Sequence, residues 1–118
     1  MRLATAIITS VLLAGCTNVT AATAVTFTEA EMDWVGKFGS LARCEKIFKL
    51  EGERRVSAKY NYLGGLVWDE SGDAIMDKYG QADTVAVMEE WGASIDAAMT
   101  YEEQASYCYN EAASMGWI

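Results

Sequence analysis

Residues 28–52, TEAEMDWVGKFGSLARCEKIFKLEG, read as one amphipathic helix with both ends marked. Thr28 and Glu31 stand in T-x-x-E spacing, which lets a hydroxyl and a carboxylate satisfy each other's backbone donors at a helix start. From there Trp34, Phe38, Leu41, Cys44 and Phe48 recur every three or four residues and so share one face. Gly52 closes the pattern. A long first helix with a cysteine on its inward stripe is the element from which the fold is inferred.

The rest of the chain continues in the same period. A second helix is expected from about Glu53, with Val56, Tyr60, Leu63 and Val67 as its stripe and Tyr62 and Leu66 broadening the apolar surface. Gly64 and Gly65 in its middle each cost about 1 kcal/mol relative to alanine. Either a close helix crossing offsets that cost, or the pair is a hinge beside a cleft of Tyr60, Tyr62 and Trp68. The run Asp69, Glu70, Ser71, Gly72, Asp73 reads as a solvated turn, followed by a short helix over residues 74–79 that stops at Gly80. A helix from about Asp83 places Val85, Met88, Trp91, Ile95 and Met99 on one side. Thr100 and Glu103 repeat the capping box, so the last helix starts at Tyr101, with Tyr101, Ala105, Cys108, Ala112 and Met115 inward. Two stripes read separately each turn one cysteine into the core, which makes the first and last helices neighbours. With no proline and no strand pattern, the expected fold is all-α, a small antiparallel bundle of about four main helices with short connections.

Ahead of this domain, Arg2 is followed by an apolar run over residues 3–14 and then by Leu12-Leu13-Ala14-Gly15-Cys16 at its close. The run is too short for a membrane span, which needs roughly 20 apolar residues. Together these features resemble a bacterial lipoprotein signal peptide with its lipobox. The resemblance implies that residues 1–15 are removed and that Cys16 becomes a lipidated N-terminus, anchoring the protein in the cell envelope. In a Gram-negative host it further implies the outer membrane, because no aspartate follows the cysteine. Residues 16–26 would then be a tether, ten residues of which reach about 17 Å, and residues 27–118 the domain. Cleavage after Ala24, at Ala22-Thr23-Ala24, is the competing reading. Setting Cys16 aside leaves Cys44 and Cys108, which an oxidising compartment would join as a structural disulfide.

Charge is unevenly placed along a chain whose net charge is −8. Residues 37–59 hold Lys37, Arg43, Lys46, Lys49, Arg54, Arg55 and Lys59 against three glutamates, whereas from Tyr60 onward Lys78 alone is basic among eleven acidic residues. Complementary helix surfaces with an acidic exterior account for this, and steering toward a basic partner is the sharper alternative. Nucleic acid is excluded as a partner by repulsion between this charge and phosphate.

No catalytic constellation is legible. Histidine is absent, Glu89 and Glu90 diverge on a helix, and Asp73 and Asp77 share a face among solvated residues. Residues 69–73 lack the ligand spacing of a calcium loop, and nothing calls for a cofactor or metal. The expectation is a non-enzymatic protein held at the membrane by lipid on Cys16, docking onto or modulating a protein partner. In element order and cysteine placement it is similar to the pilotins of secretion systems, a layout that carries no functional residues with it. A free periplasmic chaperone, similar in layout to acid-activated single-disulfide helical proteins, is the alternative. Trp68, Trp91 and Trp117 are the aromatic residues at which a binding surface is to be sought.

Overall fold

The computed structural model describes residues 25–118, which form four helices in the order α1 (Glu29–Leu50), α2 (Arg54–Tyr79), α3 (Gln81–Ala98) and α4 (Tyr101–Ser114). No strand occurs among the described residues, and the fold is a small all-α bundle. Both capping boxes are formed: Thr28 and Thr100 accept from the backbone of Glu31 and Glu103, whose carboxylates accept in return from the cap amides. Signal peptide, lipidation at Cys16 and all but the last two residues of the tether lie outside the described residues. Val25 already packs against the core, and Phe27 is buried in it, stacked on Tyr79 at 4.4 Å.

α1 and α2 make a long antiparallel hairpin, and the other two helices cover different halves of it. Near the open end, Trp34 and Val35 of α1, Val67 and Ile75 of α2 and Val87 of α3 form one core. Trp34 donates its indole N–H to the Val67 carbonyl at 2.8 Å, which satisfies a buried donor and ties the hairpin together. Near the turn, Cys44, Ile47 and Phe48 of α1, Val56 and Tyr60 of α2 and Cys108 and Ala112 of α4 form the second core. Leu41 packs against both. Cys44 and Cys108 are joined as a disulfide, with their Cα atoms 5.4 Å apart across 64 positions of sequence. A loop of that length removes about 4 kcal/mol of chain entropy from the unfolded state.

Two expected elements are corrected. The predicted turn at 69–73 is helical, and α2 runs unbroken to Tyr79. Gly72 is buried, with the Trp68 ring lying where its Cβ would be, and Asp73 accepts the Trp68 indole N–H at 3.1 Å. A small inward residue under an aromatic ring thus keeps the helical period that the polar letters around it conceal. α3 starts at Gln81, directly after Gly80, whose φ of 86° makes a one-residue corner that favours glycine. Its buried residues are Thr84 and Val87, while Val85, placed on the inward stripe by the sequence, is exposed. A methyl group at Gly64 would meet the Phe38 ring at 3.9 Å, so this glycine faces α1 at the crossing, and Gly65 faces open space. Gly39 is the tighter contact: the Trp91 ring of α3 occupies the position its Cβ would take.

At the open end, Glu31 closes the hairpin. Its carboxylate accepts from the Tyr79 hydroxyl at 2.6 Å, from the Thr28 amide at 2.8 Å and from Lys78 at 2.9 Å. Tyr79, with Thr28 and Lys78 behind it, holds the Glu31 carboxyl well below its usual 4.5, at about 2. A carboxyl depressed in the folded state stabilises above its unfolded pKa and loses that contribution as protons bind. Glu31's share of stability is therefore complete above about pH 4.5 and disappears as pH falls toward 2. Denaturant midpoints measured across that window are expected to fall more steeply for the wild type than for Glu31→Gln.

Candidate docking groove

The residues singled out in the sequence are not gathered into one site. Tyr60 is fully buried in the core near the turn, Tyr62 is 66% exposed, and Trp68 joins Trp34 and Phe38 in an aromatic cluster with ring centroids 5.4 Å apart. The cleft proposed around Gly64 and Gly65 is therefore not present. Asp73 is engaged by Trp68, Asp77, Glu89 and Glu90 lie on exposed surface, and no group of three or more metal-ligating side chains is placed to hold an ion among the described residues. Trp91 lies half-buried against α1, and Trp117 packs edge-on against Tyr60 with Lys59 over its ring.

What the structure does assemble is a partly covered stretch of α1, where the Trp91 indole of α3 comes within 3.6 Å of the place a Gly36 Cβ would take. Gly36, Ser40 and Cys44 lie four apart and so on one stripe. α4 covers that stripe at Cys44 through the disulfide and stops short of the residues above. Toward α2 the uncovered part opens into a groove of about 550 Å³ lined by Gly36, Ser40 and Leu41, by Leu63, Leu66 and Val67, and by Tyr107 at the α4 end. Toward α3 lies a smaller, mainly apolar cavity of about 140 Å³ between Trp91, Ile95, Met99 and the disulfide. Ser40 and Tyr107 border both. Leu66 is 46% exposed and Tyr107 50%, so both present apolar surface at the groove.

Polar groups fix the rim. Lys37 pairs with Glu70 across the hairpin at 3.2 Å. Glu111 accepts from Tyr60 at 2.9 Å on one carboxylate oxygen and from Tyr107 at 3.3 Å on the other. Burial, with the adjacent Glu111 second, pushes the Tyr60 phenol well above its ordinary range, so it stays a donor. The cavity's other wall is set by Arg43, which donates to the Gly92 carbonyl at 2.6 Å and to Gln104 at 3.1 Å and pairs with Asp96 at 3.0 Å. Gln104 in turn donates to Asp96 and to the Met99 carbonyl, both at 3.1 Å. Arg43, then Gln104, keep the Asp96 carboxyl below its usual range. One arginine on α1 thus positions both α3 and α4.

In the sequence Arg43 reads only as one member of a basic window, and the α4 stripe places Tyr101 inward where Gln104 is the buried residue. Tyr101 instead lies outside, donating to Glu51 at 2.8 Å, and Met115, also expected inward, caps the helix and is exposed. Of the two apolar residues off the main α2 stripe, Leu66 lines the groove and Tyr62 does not. The groove's other wall comes from α4 and could not be read from α2 alone. Two of the three ion pairs among the described residues, Lys37 with Glu70 and Arg43 with Asp96, join the basic window to the acidic half.

No helix among the described residues is long and apolar enough to cross a membrane. Compared with known proteins, the chain matches no family model, no curated protein and no solved structure.

Arg43→Ala removes the donor to the buried Gln104 Oε1 and the ion pair with Asp96, and is expected to cost about 1–3 kcal/mol in denaturant unfolding at neutral pH. Lys37→Ala, which breaks a pair exposed on both sides, should cost under about 1 kcal/mol in the same measurement.

Proposed function

We propose that this protein is a lipid-anchored component of the bacterial cell envelope that binds another protein and catalyses no reaction of its own. The observation that carries the reading is a match between two independent features. The lipobox-like run ending at Cys16 assigns one thiol of three to lipid, and the two thiols left over, Cys44 and Cys108, are the two that meet in the folded domain. An odd cysteine count is awkward for an exported protein unless one thiol has a separate fate.

Binding rather than catalysis is supported by what the surface offers. The groove is walled by leucines and a tyrosine, and its rim carboxylates are engaged by hydroxyl or ammonium donors. Apolar grooves with a few placed polar groups are the usual form of a peptide-binding surface. Anchorage at the outer membrane, facing the periplasm, suits such a role, since confinement raises the effective concentration of partners at the same surface.

Mass spectrometry of the mature N-terminus tests the reading. A diacylated or triacylated Cys16 is expected. An unmodified N-terminus at Val25 would contradict anchorage and favour the freely diffusing periplasmic chaperone.

A further inference from the structure

The side of the α1 stripe that faces α2 has a shape that α4 already demonstrates. α4 seats on Cys44 by turning Cys108 and Ala112 inward, small residues four apart, and the same stripe continues through Ser40 to Gly36 with nothing larger than a hydroxymethyl group. Small residues let helix axes approach to about 8–10 Å. Along α2 the groove wall runs from Leu63 to Glu70, about 10 Å or two helical turns. A groove of that length offers contact to about two turns of one helix lying along α2.

Electrostatics select the kind of helix. Lys37, the only cation lining the groove, is taken up by Glu70. Glu111 has two tyrosine hydroxyls but no ion pair with any cation among the described residues. Charges on the lining therefore sum to one uncompensated negative, on a chain that is itself strongly acidic. We infer that the groove formed by Leu41, Leu63, Leu66 and Tyr107 receives one amphipathic helix of a partner protein, whose apolar face covers Leu66 and whose lysine or arginine pairs with Glu111. This rests on the protein-binding reading given above and specifies its surface and partner chemistry. A groove of two turns buries little area, placing the contact in the weak, transient class, which joint anchorage at one membrane would reinforce.

The test uses the mature, acylated chain in a neutral detergent, with two synthetic helical peptides of about four turns each, one built from Lys, Leu and Ala and one with Glu in place of every Lys. The basic peptide is expected to shift the NMR methyl signals of Leu41, Leu63 and Leu66, and the acidic one to leave them in place. Leu66→Glu, at an exposed position that leaves the fold intact by thermal melting, should weaken the basic peptide about tenfold or more. Glu111→Gln keeps an acceptor for Tyr60 and should weaken it several-fold through loss of charge. Equal binding of both peptides, methyl shifts elsewhere, or unchanged affinity in Leu66→Glu would overturn the inference. So would concentration-dependent dimerisation abolished by Leu66→Glu, which would make a second copy the occupant. Acylated Cys16 without peptide binding removes the groove inference alone, and peptide binding by a chain whose Cys16 is unmodified removes the anchorage alone.

Discussion

The link between Cys44 and Cys108 is the constraint on which the turn half of this molecule depends. α4 has 14 residues and buries only Gln104, Cys108 and Ala112, too little apolar surface to hold a helix that would be marginal by itself. Joined to α1, it meets Phe48 through Tyr109 at 4.7 Å between rings and holds Tyr60 through Glu111. Trp117 then folds back over Tyr60 and caps the second core. Take away the cross-link and each of these contacts must compete with the entropy of a free C-terminal segment.

The open half is built differently. It relies on aromatic bulk and close approach: Trp34 bonded to the α2 backbone, Trp91 lying where Gly39 leaves room, and Gly80 turning the chain in a single residue. Arg43 connects the halves, since its guanidinium reaches the α3 backbone at Gly92, the α3 carboxylate at Asp96 and the α4 amide at Gln104. Because α3 covers one half of the hairpin and α4 the other, Trp91 reaches the stripe at Gly36 only from the α3 side, and the side facing α2 stays open. The groove is a consequence of this division, which leaves Leu66 of α2 and Tyr107 of α4 turned toward solvent.

Much of the fold was legible because helix starts and inward stripes are local properties. The two T-x-x-E boxes marked the first residues of α1 and α4, and the stripes that carried Cys44 and Cys108 predicted the contact between the first and last helices. The misreadings share one cause, a small or polar residue turned inward by tertiary packing. Gly72 under Trp68 hid the continuity of α2, Thr84 took the core position assigned to Val85, and Gln104 took that assigned to Tyr101. Apolar periodicity cannot register such residues. The groove was beyond reach for a related reason, since its walls come from separate helices and its importance lies in what does not cover it. Cys16, the residue on which the functional reading begins, lies outside the described residues.

Hydrogen exchange followed residue by residue, on the oxidised protein and again after reduction of the disulfide, bears most directly on this account. Reduction should strip protection from α4 and from the backbone around Phe48 and Tyr60, while the open half, with α3 docked at Gly39, stays protected. Unchanged protection across α4 after reduction, or a loss spread evenly through α3 as well, would contradict it.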